Sequence, residues 1–186
     1  MPPKVKTTKE DIINAAVDIV RTSGAQAINA RTIAAVLNCS TQPVFSNFAT
    51  MDELRLAVVK KADAICGDYI RREIESGKFP TYKASGMAYI RFAKEEKELF
   101  KLLFMRDRRG ESNGSSPDFE ESVKMLMQNN NMTKESATKA HLELWSVVHG
   151  IATMQATSFL ELSTELVSDM ISDVYKGICC INTAEV

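Results

Sequence analysis

An all-α protein is what this sequence predicts, and three observations carry the prediction. Gly and Pro number only 8 and 5 among 186 residues while hydrophobic residues make up 45%, a composition that suits packed helices. Apolar residues recur three and four positions apart along most of the chain, the spacing of one helical face. Short polar residues stand before several of these segments, and Gly or Asn after them, as helix starts and stops require.

The elements follow in order. Lys4 and Lys6 precede the first helix on an arm. Thr7 to Ser23 reads as that helix, with Thr7 and Glu10 spaced as a capping box. Ile12, Ile13, Ala16, Val17 and Val20 form its inner stripe, and Gly24 stops it. Residues 29–48 read as two brief helices joined by a tight turn. Asn29 is suited to cap the first, because its side-chain oxygen accepts a bond from an orphan backbone N–H. Ile33, Val36 and Leu37 share one face of it. Asn38-Cys39 breaks the pattern, since Asn tolerates the left-handed conformation. Ser40 is read as the second cap and Pro43 as the third residue of the second helix, where its missing N–H has no intrahelical partner to lose. Val44, Phe45 and Phe48 are assigned to its buried side; Thr41, Gln42, Ser46 and Asn47 point outward.

Thr50 opens a long helix with Glu53 in the capping-box position. Leu54, Val58, Ala62 and Ile65 form its apolar face, Lys60, Lys61, Arg71 and Arg72 its polar side, and it runs out near Ser76-Gly77. Phe79-Pro80 marks a boundary. Tyr82 to Glu96 reads as a helix with Met87, Ile90 and Ala93 on one face. A break at 95–97 leads to a short aromatic helix over Leu99–Met105. Arg106, Arg108 and Arg109 open a polar loop, read as a solvated cluster or an anion site. Ser116-Pro117-Asp118 combines N-cap, Pro at the first position and an early acid; the helix it starts ends in Gln128-Asn129-Asn130-Asn131. Thr133 caps the next, apolar at His141, Leu144, Trp145, Val148, Ala152 and Gln155. Ser163 or Thr164 starts the last, with Leu166, Met170, Val174 and Ile178 along one side.

Charge is uneven although the net is −1. Residues 1–48 hold five cations against three acids, and residues 110–186 four lysines against eleven acids. Nucleic acid would be met by the N-terminal end. No apolar run approaches the ~20 residues that span a bilayer, and residues 1–11 lack a signal-peptide core, so the expected location is the cytoplasm. Cys39, Cys66, Cys179 and Cys180 form no C-x-x-C pair, which argues against zinc. No nucleophile motif, P-loop or dinucleotide fingerprint occurs, and neither histidine has a ligand partner at zinc-protease spacing. The sequence offers no catalytic residue, metal or cofactor.

The outward set on residues 41–47 has a chemistry. A helix entering a major groove shows short polar side chains near its N-terminus. Gln bonds adenine N6 and N7, an apolar surface such as the Pro43 ring meets a thymine methyl, and Ser and Thr hydroxyls reach bases or phosphates. An ordinary polar surface helix would show the same residues.

The stretch resembles the helix-turn-helix of TetR-type transcriptional regulators. The resemblance covers about the first fifty-five residues. It includes a first helix ending at Gly24, Thr32-Ile33-Ala34, Ser40 before the recognition helix, Gln42-Pro43, the aromatics Phe45 and Phe48, and Thr50-Met51-Asp52-Glu53-Leu54 at the start of a fourth helix. The family usually carries Tyr at Phe45 and Lys at Met51, so two phosphate contacts are missing here. Leu144 to Gly150 resembles the Trp…His-Gly signature of a TetR C-terminal subclass. The resemblance implies an N-terminal three-helix DNA-binding domain over 1–50 and a helical effector-binding and dimerisation domain over 51–186. It implies DNA contact by Lys4, Lys6, Arg31, Thr32, Ser40, Thr41, Gln42, Pro43, Phe45, Ser46 and Asn47. It implies a homodimer joined by the last two helices, through Leu166, Met170 and Val174, and a palindromic operator released when a small apolar effector binds. The concentration of Phe92, Phe100, Phe104, Met125, Trp145 and His149 in the helical body marks the expected pocket, since apolar clefts between helices are usual ligand sites. The rival reading is a helical small-molecule- or protein-binding module without DNA-binding activity.

Overall fold

The computed structural model describes residues 7–107 and 117–183; Lys4, Lys6, Arg108, Arg109 and Ser116 lie outside them. Among the described residues every regular element is helical: α1 Lys9–Ser23, α2 Ala30–Val36, α3 Gln42–Asn47, α4 Met51–Glu75, α5 Thr81–Glu95, α6 Lys97–Phe104, α7 Pro117–Asn130, α8 Lys134–Ala156 and α9 Thr164–Thr183, with one 3-10 turn at Ala25–Ala27. Two compact units result. One is the described part of Met1–Asp68 with Glu96–Arg106; the other is Tyr69–Glu95 with the described part of Asp107–Val186. Helix α4 contributes to both. Among the described residues no helix is long and apolar enough to cross a membrane.

In the first unit, α1 starts one residue later than the spacing suggests. Thr8, not Thr7, is the N-cap, and the reciprocal partner is Asp11 rather than Glu10. Thr8 Oγ1 accepts from the Asp11 N–H at 3.1 Å, and Asp11 Oδ2 accepts from the Thr8 N–H at 2.8 Å. The Thr8 N–H, and then the Thr8 hydroxyl donating to Oδ2 at 2.7 Å, hold the Asp11 carboxyl below its ordinary pKa. Ile12, Ala15, Ala16, Val17, Ile19 and Val20 are buried, while Ile13 is only half-buried. Gly24 ends the helix at φ 79, donating to Val20 O at 2.8 Å. That positive φ favours glycine; a Cβ there would meet only the movable end of the Gln26 side chain, at 2.6 Å.

Helix α6 packs on α1 and buries Leu99, Phe100 and Leu103. The expected break falls on Glu96, at φ −117 and ψ 51. Its carboxylate takes a two-pronged grip from Arg21, Nε to Oε2 at 2.9 Å and a terminal nitrogen to Oε1 at 2.7 Å. Early in α4 the buried residues are Leu54, Val58, Ala62 and Cys66; Ile65, expected there, is half-buried, because a true four-residue repeat reaches 66. Glu53 closes the capping box one residue further back than expected, accepting from the Ala49 N–H at 2.8 Å.

In the second unit, α5, α7, α8 and α9 pack together. Met87, Ile90 and Ala93 are buried on α5 as expected. Thr133 caps α8, accepting from Ser136 N–H at 3.2 Å, and Asn131 takes the left-handed turn at φ 52. Helix α8 buries Ala137, Ala140, Leu144, Ile151, Ala152 and Gln155. Trp145, placed by spacing on that face, is 48% exposed, and His141 and Val148 are half-buried. Ser163 caps α9, accepting from Leu166 N–H at 3.2 Å. Its buried apolar positions include Val167 and Ile171; Leu166 is 49% exposed.

Candidate functional site

Helices α2 and α3 are too short, at 7 and 6 residues, to stand alone. Their caps and anchors hold them. Asn29 Oδ1 accepts from the N–H groups of Arg31 and Thr32, both at 3.0 Å, and Thr32 Oγ1 takes the Asn29 N–H at 3.2 Å. The chain then turns at Asn38, φ 49, as its side chain allows. Ile33, Val44 and Phe48 are at most 2% exposed and pin both helices to the first unit's core.

The second helix departs from the spacing argument in three respects. Thr41, not Ser40, is the residue preceding α3, and it makes no side-chain capping bond. Pro43 is therefore the second helical residue, still among those whose N–H has no partner. Phe45, assigned to the buried side, is 58% exposed; Val36, assigned to the inner face of α2, is 56% exposed. Helices of under two turns offer too few residues for periodicity to fix a face.

The structure separates the eleven expected DNA contacts. Lys4 and Lys6 lie outside the described residues. Arg31, Ser40, Gln42, Phe45 and Ser46 are exposed; Thr32, Thr41, Pro43 and Asn47 are half-buried. Thr32 is a capping residue, its hydroxyl turned to Ala27 O at 2.8 Å and Asn29 O at 2.9 Å. Ser46 Oγ donates to Gln42 O at 2.9 Å and Asn47 Nδ2 to Pro43 O at 2.8 Å, so both are bonded back to their own helix. Among the described residues Arg31 makes no ion pair, unlike Lys9, which pairs with Glu53 at 3.0 Å, and Arg21, which pairs with Glu96 and Asp18. It is the unpaired cation of residues 7–48.

The six expected pocket residues are not one cluster within either unit. Phe100 and Phe104 belong to the first unit, their rings 5.1 Å apart; Phe92, Met125, Trp145 and His149 belong to the second. Phe92 is fully buried and meets Tyr69 edge-on at 5.5 Å. Met125 lines a groove along α7 with Glu120, Val123, Met127 and Lys134, and none of the other five does. Trp145 stacks on His149 at 4.9 Å between centroids and 14° between planes.

Sequence reasoning missed a pair of polar rungs in this unit. Tyr82 Oη lies 2.8 Å from His141 Nδ1, and Tyr89 Oη 2.9 Å from His149 Nδ1. Both numbers rise together, so α5 and α8 run in the same direction. Burial pushes both imidazoles below their ordinary pKa, which keeps them neutral and lets each Tyr hydroxyl donate to Nδ1. Burial likewise drives the Tyr82 hydroxyl far above its ordinary pKa. A seven-residue Tyr spacing set beside an eight-residue His spacing was the available signal.

Of the expected dimer residues, Leu166 is exposed and Met170 half-buried, while Val174 packs against the core of Val123, Leu126, Met132 and Leu144 in its own chain. Leu142 and Trp145 of α8 are also 49% and 48% exposed. Among the described residues no cluster of three His, Cys, Asp or Glu is placed to hold a metal.

The sequence profile of the family described as "Tetracyclin repressor-like, C-terminal domain" matches residues 82–174. No curated protein matches the chain. Among solved structures, a TetR-like transcriptional regulator from Rhodococcus sp. RHA1 is similar over 100% of both chains, with 18% identity and a TM-score of 0.68, a likeness of fold. The chain belongs to the tetracyclin repressor-like family, that of the TetR-type transcriptional regulators.

Proposed function

We propose that the protein is a repressor that binds a palindromic operator as a homodimer and releases it when a small apolar molecule enters the helical body. The observation that carries this reading is on α3. Gln42 is exposed at the first helical position, and among the described residues its amide has no hydrogen-bond partner. Val44, Ile33 and Phe48 fix the helix beneath it. A glutamine so held can bond adenine in a major groove. Two such helices, related by a dimer axis, would meet successive grooves ~34 Å apart. Leu166 on α9, with Leu142 and Trp145 on α8, supplies the exposed apolar surface for pairing of the last two helices. On this reading residues 1–50 read DNA, and 51–186 bind effector and dimerise.

The test is a gel shift against the gene's own upstream region. Gln42→Ala is expected to weaken operator binding by ~1–3 kcal/mol and relax base preference, leaving random DNA unaffected. Equal losses on operator and random duplex would exclude base reading. A wild-type protein indifferent to every duplex would leave the rival reading, a helical binding module.

A further inference from the structure

We propose that the Phe45 ring is a specificity-determining element that reads the 5-methyl group of one thymine in each operator half-site. The inference rests on the operator-binding reading above and adds a second point of base recognition to it.

Phe45 is 58% exposed, although Val44 and Phe48 beside it are at most 2% exposed. The core below α3 is therefore filled without it. A large apolar ring left in water on a six-residue helix has no packing role among the described residues. Its place is one turn beyond Gln42 on the same face, the i to i+3 relation. The neighbouring polar side chains are differently employed. Ser46 Oγ donates to Gln42 O at 2.9 Å, and Asn47 Nδ2 donates to Pro43 O at 2.8 Å. Pro43, the other apolar candidate, is half-buried. What α3 presents outward with no commitment among the described residues is the Gln42 amide and the Phe45 ring. The ring has no hydroxyl for a phosphate and no donor or acceptor for a base edge. The remaining feature of a major groove that an apolar surface can recognise is the thymine methyl, which separates T from C and from uracil.

The experiment begins with an operator selected from a pool of random duplexes. Its thymines are replaced one at a time, symmetrically in both half-sites, by deoxyuridine, which keeps every hydrogen-bonding group and removes only the methyl. Wild type and Phe45→Ala are titrated against each duplex. For wild type, one position is expected to lose about fourfold per half-site, about fifteenfold for both, the size of one buried methyl. Phe45→Ala should bind the thymine operator more weakly and show no further loss at that position, so the two changes are not additive. Far-UV circular dichroism and the melting temperature should match wild type, because the ring is not part of the core. If wild type tolerates uracil everywhere, or if Phe45→Ala keeps the full uracil penalty, the inference is wrong while operator binding stands. If no duplex is selected at all, the operator-binding reading itself fails.

Discussion

Removing one arginine should change how salt weakens DNA binding, and removing a nearby lysine should not. Between residues 7 and 48 the cations are Lys9, Arg21 and Arg31. Lys9 is held by Glu53 at 3.0 Å and lies 4.5 Å above the Phe48 ring. Arg21 is gripped by Glu96. Among the described residues Arg31 has no acidic partner; it stands exposed beside the Asn29 cap and can displace a counterion from a phosphate. Each such contact steepens the plot of log affinity against log salt by ~0.9, so the two copies in a dimer account for ~1.8. Arg31→Ala should flatten the slope by that amount. Between 50 and 200 mM salt the variant would lose about tenfold less affinity than wild type does. Lys9→Ala should leave the slope unchanged, because its charge is already neutralised inside the chain. Fluorescence anisotropy of a labelled operator across a salt series measures both. A slope for Arg31→Ala within about 0.3 of wild type, or an equal flattening by Lys9→Ala, would refute the assignment of free and paired cations.

Other outcomes follow from the same structure. Asn29→Ala removes both bonds that cap α2 and should cost ~1–2 kcal/mol, lowering the melting temperature by about 2–8 °C; Asn29→Asp should restore it, and an unchanged melt in the alanine variant would contradict the cap. His141 and His149 have folded-state pKa values below the ordinary 6.5. Their contribution to stability is therefore present above that value and lost as pH falls through the folded pKa, since the unfolded chain takes up protons first. Urea midpoints should drop below about pH 6.5, and a His141→Gln, His149→Gln double variant should flatten that fall; the same slope in both proteins would argue against buried neutral imidazoles. Leu166→Glu, at a 49% exposed position, should yield monomers without unfolding, and a dimer in sedimentation would remove α9 from the interface.

Several features were legible in the residues because they are local. A cap lies beside the turn it closes, so Asn29 before α2, Thr133 before α8 and Gly24 after α1 could be read directly from the chain, while the α1 box, read as Thr7 with Glu10, falls one residue on at Thr8 with Asp11. Long helices were equally legible, since α5 presents enough turns for Met87, Ile90 and Ala93 to define a face. The two-helix motif was identified from its order of residues, though not the side of it that Phe45 and Val36 occupy. The six residues of α3 and seven of α2 give less than two turns of pattern, and the core of the first unit alone decides which side is covered.

By itself, then, the order of residues determined the helical class, most of the helix ends to within a residue, and the family. Packing decided what the chain could not express locally. It brought Tyr82 to His141 and Tyr89 to His149 across about sixty residues, closed Glu96 on Arg21, and left Arg31, Gln42 and Phe45 uncommitted on the surface. The reason is physical. Hydrogen bonds within a turn depend on neighbours in sequence, whereas burial, and the pairing of charges across it, depends on which distant helix arrives.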